Sequence, residues 1–262
     1  MSWNFKVLVQ STKVLQNRCM PPWLDSKGFA NEMEEQKKRS RAARAAAKSG
    51  GAPQLELIAE QTAALTDDNV QPTDDSFKYK WDVELPATVM SIFGTDGFYE
   101  KDSSAEVGDF VGLVLDKSSF YAEAGGQEAD LGLIRLLDAE ENFVGSFEVR
   151  DVQTYGGFLL HTGVVQEGSF KLGDQVSCRV DYERRRLITP NHSMTHVLNA
   201  ALREVLGDKV DQRGSLCNDE KLRFDFTNKK ALSLKQLRRT EEICQEVVQK
   251  ALPVTAEVMP LE

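Results

Sequence analysis

The stretch "NHSMTHVLNAAL" (Asn191–Leu202) decides how the C-terminal part of this chain is read. Met194, Val197, Leu198, Ala201 and Leu202, continued by Val205 and Leu206, recur three and four residues apart, which makes one apolar helix face. Asn191 stands where an N-cap is expected and Gly207 where a C-cap is expected. His192 and His196, two of only three histidines in the chain, fall four residues apart on that helix. At that spacing two imidazoles lie about 6 Å apart on one face and can grip a single metal ion. Neutral imidazole suits zinc, but zinc needs three or four ligands, so the pair by itself is a weak signal. Ser193 occupies the position where an H-E-x-x-H metalloprotease needs its glutamate, which argues against that class.

Outward toward the C-terminus, "VDQRGSL" and "KLRFDF" read as strands, and Ser233 to Leu252 as an amphipathic helix that Pro253 ends. In the other direction the period changes. From Phe77 to about Arg179, runs such as "ATVMSIF", "FVGLVLD", "LGLIRLLD", "SFEVRDVQ" and "FLLHTGVV" are rich in β-branched and aromatic residues. Gly, Asp and Asn clusters separate them, and "GSFKLGDQVSCRVD" reads as a hairpin turn leading into a strand. Residues 77–182 are therefore expected to form a small β domain, a barrel or a sandwich. Residues 67–76 are a polar linker with turn chemistry. Before it, residues 54–65 form one helix candidate and Gly28–Lys48 another, the latter ended by "KSGGAP". Residues 1–25 show no clear period and break at Pro21 and Pro22.

Composition narrows the classes. A chain of 262 residues, 41% hydrophobic, can bury a sizeable core in more than one domain. No apolar run is long enough to span a membrane, and the N-terminus lacks the apolar stretch and cleavage site of a secretory signal. The four cysteines (Cys19, Cys178, Cys217, Cys244) form no C-x-x-C pair and read as reduced thiols of a cytosolic-type compartment, with an organellar address left open. The net charge of −9 hides an asymmetry: residues 1–48 carry ten Lys/Arg against four Asp/Glu. The run "KKRSRAARAAAK" is either a solvated helix face or a contact to phosphates through Lys37, Lys38, Arg39, Arg41 and Arg44. An acidic chain of this kind does not suit DNA or a membrane surface as a general partner.

Three stretches carry a family resemblance. The segment "RRRLITPNHSMTHVLNAALREVLGDKVDQRGSLCNDEKLRFDFTN" resembles the editing domain of alanine–tRNA ligases (alanyl-tRNA synthetases). Upstream, "FYAEAGGQEADLG" resembles that family's glycine-rich motif, and "GFANEMEEQKKRSRAA" the end of its tRNA-recognition region. The resemblance runs from about Gly28 to Glu262, with the motifs in family order. It implies an α+β chain with this organisation: an unassigned N-terminus (1–25), the helical end of the tRNA-recognition region (26–66), the linker, a β-barrel domain (77–182), and the first half of an α/β editing domain (183–262).

What the resemblance implies for function is hydrolysis of mischarged Ser- or Gly-tRNA(Ala), since a pocket alone discriminates poorly between small side chains. It implies that His192 and His196 are zinc ligands and that the rest of the set lies in a Cys-x-x-x-His motif beyond "PLE", so this chain would hold half of a zinc site. Cys217 is the nearest substitute ligand. Gln212 matches an active-site glutamine and Thr195 a residue facing the amino acid. The backbone of Gly125 and Gly126, with Gln127, could approach the substrate because glycine has no Cβ. The parent enzyme would attach alanine using ATP and magnesium, through a core that this chain is expected to lack. Other readings of the same residues are a free-standing trans-editing hydrolase and a non-catalytic tRNA-binding module. His161, in "GGFLLHTG", reads as structural.

Overall fold

The structure, a computed structural model, describes residues 55–254. Among these, two compact units are distinguished: one holds residues 55–124 and 128–186, the other residues 125–127 and 187–254. The basic run with Lys37, Lys38, Arg39, Arg41 and Arg44, the helix expected from Gly28 to Lys48, and Cys19 lie outside the described residues.

The first unit is built on strands β1 (Leu85–Gly94), β2 (Gly97–Phe98), β3 (Ser104–Ala105), β4 (Phe110–Leu115), β5 (Gly132–Leu137), β6 (Phe143–Tyr155), β7 (Phe158–Glu167), β8 (Phe170–Lys171) and β9 (Gln175–Val180). The main sheet runs β2-β1-β4-β7-β6-β5-β9, and β9 also pairs with β1, Leu85 opposite Cys178. Six antiparallel strands therefore close into a barrel, with β2 appended, and the choice left open between barrel and sandwich is resolved. Alternation makes the closure work: Leu85, Ala87 and Val89 on β1 are buried, while Pro86 between them is exposed. The interior collects Ile92, Leu113, Phe120, Ile134, Phe147, Leu159 and Phe170. Each fully buried side chain of this kind contributes roughly 1.5–3 kcal/mol. The segment around β8 differs from its expected hairpin: Lys171–Asp174 makes a turn, but β8 pairs with β3 and β9 with β1 and β5.

His161 on β7 is fully buried, with Nε2 2.7 Å from Oγ of Ser118 and Nδ1 3.1 Å from the Leu113 carbonyl. Burial lowers its pKa to about 4, the Leu113 contact opposing the shift. Both nitrogens serve the barrel, in keeping with a structural histidine.

Helix α1 (Ala59–Asp67) begins later than its pattern suggested, because Leu55 and Leu57 are drawn into a second cluster with Leu65, Val70, Val114, Phe158 and Leu160. Thr73, in the polar stretch that follows, is buried and donates from Oγ1 to the Leu115 carbonyl at 2.8 Å.

Helix α2 spans Tyr182–Leu206, so Asn191 lies inside it and is not its N-cap. The cap is Asp181, whose Oδ1 accepts from the backbone N–H of Arg184 at 3.0 Å. Pro190 sits in the helix interior. What holds the first turns is the "RRR" triplet. Arg184 reaches Glu128 at 2.9 Å and the Ala129 carbonyl at 2.8 Å. Arg185 is buried against Asp130, with its Nη2 2.5 Å from the Ser119 carbonyl. Arg186 meets Asp82 at 2.6 Å.

In the second unit, Met194, Leu198, Ala201 and Leu202 of α2 are buried with Val210 and Cys244, and Leu222, Phe224, Phe226 and Ile243 pack against them. This is the apolar face anticipated from the sequence. Gly207 ends α2 at φ +94°, its N–H donating to the Arg203 carbonyl at 2.8 Å. Strands β10 (Gln212–Cys217) and β11 (Leu222–Phe226) form an antiparallel pair, and α3 (Leu234–Lys250) follows. Ser233 and Gln236 form a capping box at its start. Among the described residues no helix is long and apolar enough to cross a membrane.

Candidate functional site

The second unit gathers three stretches that are far apart in sequence: the glycine loop 125–127, the early part of α2 that carries the histidines, and β10. His192 and His196 lie on α2 with ring centroids 5.8 Å apart and the rings 26° from parallel. Burial, then the neighbouring His196, holds the pKa of His192 below its usual value, which favours a neutral ring.

The glycine loop lies against this helix. Gln127 is 4% exposed, and its Oε1 lies 3.0 Å from Nδ1 of His192. A β-carbon built on Gly125, which sits at φ +61°, would stand 2.9 Å from Nε2 of the same ring. Gly126, at φ +85°, meets Ser215 so closely that a β-carbon would fall 2.4 Å from Oγ and 2.7 Å from the carbonyl oxygen. Left-handed backbone and lack of room both require glycine here. The loop is fastened to β10 by the Cys217 N–H donating to the Gly126 carbonyl at 2.7 Å and by a parallel bridge between Gln127 and Cys217.

Gln212, at the start of β10, is exposed and donates through Nε2 to Oγ of Ser215 at 3.2 Å. Ser215 in turn donates to the Gly125 carbonyl at 3.2 Å. Thr195 is 2% exposed; its Oγ1 donates to the Asn191 carbonyl at 3.1 Å and lies 3.3 Å from Sγ of Cys217. Cys217 is the last residue of β10 and fully buried. Burial raises the pKa of its thiol, against the lowering by Thr195. Among the described residues no three His, Cys, Asp or Glu side chains come together as a metal site, so Cys217 does not join the two imidazoles. Cys178, Cys217 and Cys244 are free and buried.

Sequence reasoning missed two participants. Ser215 is the hydroxyl that links Gln212 to the glycine loop, and Asn191 ties α2 to the end of β10 by donating to the Asn218 carbonyl at 2.9 Å. Nothing in the local pattern marks Ser215. Asn191 does stand out beside a proline, but as a cap.

The donor chemistry fits zinc at two positions. The imidazoles share a helix face, and His192 has an oxygen acceptor at its second nitrogen, the partner that metal-bound histidines ordinarily have.

Comparison with known proteins decides the family. The profile of a family described as tRNA synthetases class II (A) matches residues 22–184. The mitochondrial alanine–tRNA ligase of Saccharomyces cerevisiae is 40% identical over 242 residues, which is 91% of this chain and 23% of that protein. The chain belongs to the alanine–tRNA ligase family. The alanine–tRNA ligase of Schizosaccharomyces pombe is 38% identical over 91% of the chain and 24% of its own length. The cytoplasmic alanine–tRNA ligase of Bombyx mori is 38% identical over 88% of the chain and 25% of its length. The chain thus spans about a quarter of the length of these ligases, whose names include both cytoplasmic and mitochondrial forms.

Proposed function

We propose that this member of the alanine–tRNA ligase family contributes the editing module, which hydrolyses the ester of serine or glycine mischarged onto tRNA(Ala). The observation that carries the reading is the convergence of Gln127 on His192 and of Gln212, through Ser215, on Gly125 within one compact unit. Ester hydrolysis at a terminal adenosine needs a donor that orients substrate or water, an approach for the acyl group, and a fixed electrophilic or binding centre. Gln212 offers an exposed amide, steadied by Ser215. Gly125 and Gly126 lack the β-carbons that would collide with His192 and Ser215, which lets the backbone of the loop lie against both. Thr195 is the proposed specificity contact, its hydroxyl exchanging the Cys217 sulfur for the serine hydroxyl of the substrate.

His192 and His196 are the proposed zinc ligands from this chain, with the remaining ligands in the family's Cys-x-x-x-His. Bound there, the ion supplies Lewis acidity or a grip on the substrate. The tRNA itself is proposed to be held in part by Lys37, Lys38, Arg39, Arg41 and Arg44 through phosphate contacts. In the whole protein, ATP and magnesium would serve the attachment of alanine.

The test is deacylation of Ser-tRNA(Ala) by this chain and by a version joined to a Cys-x-x-x-His segment. The joined version is expected to bind zinc more tightly and to deacylate faster. In it, His192→Ala should abolish both properties, whereas Gln212→Ala should lower the rate and spare the metal. Equal hydrolysis by wild type and both variants would overturn the reading.

A further inference from the structure

A glutamine side chain that is 4% exposed must find a hydrogen-bond partner, and Gln127 finds His192. Its placement is not left to a flexible loop. The backbone of Gln127 forms a parallel bridge with Cys217, and the Cys217 N–H donates to Gly126 immediately before it. The loop reaches the ring because Gly125 has no β-carbon, which would otherwise stand 2.9 Å from Nε2 of His192. The amide oxygen thus approaches Nδ1 from a main chain fixed on both sides.

Chemistry then assigns the protons. An amide oxygen only accepts, so a bond to it requires hydrogen on Nδ1. In a neutral ring this puts the lone pair on Nε2. A free neutral imidazole prefers the opposite arrangement, with hydrogen on Nε2, so the contact reverses the default.

We propose that Gln127 is a positioning residue that holds His192 as the Nδ1–H tautomer, with its plane fixed and Nε2 presented as the donor atom for a metal ion. The inference rests on the reading of His192 as a zinc ligand. It replaces a substrate contact by Gln127 with an action exerted through the histidine. Partners of this kind commonly contribute about 10–100-fold to metal affinity.

Having only three histidines makes the test clean. The 262-residue chain, labelled with 15N-histidine, gives three sets of imidazole signals in a long-range 1H–15N spectrum, assigned with His161, His192 and His196 variants. At neutral pH, His192 is expected as the Nδ1–H tautomer in the wild type. Gln127→Glu, which keeps an oxygen acceptor, should retain it. Gln127→Leu, which has none, should move the ring toward Nε2–H while the backbone amide spectrum stays that of the folded chain.

Zinc affinity measured by competition with a chromophoric chelator should fall about 10–100-fold in Gln127→Leu and stay near wild type in Gln127→Glu. An Nε2–H tautomer in the wild type would overturn the proposal even if Gln127→Leu does not fold. So would a tautomer in folded Gln127→Leu that matches the wild type, or equal zinc affinity in wild type and Gln127→Leu. If the tautomers behave as stated but His192→Ala leaves zinc binding untouched, the metal reading above falls, and the hold of Gln127 on the ring stands.

Discussion

The backbone N–H of Cys217 donates to the carbonyl of Gly126 at 2.7 Å, so one of the bonds between the glycine loop and β10 is made by main chain alone. No substitution at Cys217 other than proline removes that donor, but a β-carbon at Gly126 must break the bond or displace Ser215. Gly126→Ala is expected to cost roughly 1–3 kcal/mol locally, from strain plus the lost contact. Hydrogen exchange at the Cys217 amide reads it directly and should accelerate. Gly173→Ala is the control: its φ of +88° is similar, but nothing stands within 4 Å of the added carbon, so Cys217 should not respond. An unchanged Cys217 amide in Gly126→Ala would show that the loop is not fastened as described.

Arg185 and Asp130 form an ion pair whose side chains are 3% and 1% exposed. Asp130 also accepts from the Tyr121 N–H at 2.7 Å, and Arg185 donates to the Ser119 carbonyl. Removing one partner strands a buried charge. Asp130→Ala is expected to destabilise the barrel unit by about 3–5 kcal/mol. Replacing both residues with alanine should cost less than Asp130→Ala and Arg185→Ala summed. Chemical denaturation followed by tryptophan fluorescence measures all four proteins. Additive costs would mean that the two side chains do not act as a pair.

His161 sets a pH dependence. Its folded pKa of about 4 lies below the ordinary 6.5, so between those values the unfolded chain binds the proton and the folded chain does not. Stability is therefore expected to fall as pH drops from 6.5 toward 4, with a loss on the order of 2 kcal/mol between pH 7 and pH 5. Urea unfolding across that range should show this slope, and His161→Gln should flatten it whatever its cost at neutral pH. A slope that survives the substitution belongs to other groups.

Ser215 connects Gln212 to Gly125. If that hydroxyl steadies the amide for hydrolysis, Ser215→Ala should slow deacylation of Ser-tRNA(Ala) by about tenfold, the effect of one lost hydrogen bond near 1.4 kcal/mol. Zinc affinity should not change. Loss of metal binding in this variant would place Ser215 in support of the histidines instead.

The sequence made some of this legible, and the reasons are local. Alternation in β1 and β6, the apolar face from Met194 to Leu206, and the helix start at Ser233 are short-range patterns that solvent exposure and capping impose on neighbouring residues. The expected cap at Asn191 differs from the observed one because a proline such as Pro190 ordinarily lies at a helix end, whereas here the acceptor is Asp181, three residues before Arg184. The arginine triplet stabilises the turns that precede the proline. Contacts such as Gln127 with His192, or Ser215 with Gly125, join positions that no periodicity relates. In the sequence they were separate motifs; the fold supplies the distances between them.

The pairing of Leu85 with Cys178 has a consequence for how the barrel comes into being. These positions lie roughly ninety residues apart, so the ring cannot be completed until nearly all of its strands have been made, and such non-local contacts slow folding. Until that last seam forms, β1 and β9 each carry an open row of amides and carbonyls able to pair with any strand nearby. The vulnerable moment for this unit is thus on the ribosome, before the final strand emerges. A shortened product ending before Gln175 would leave that seam permanently unmade.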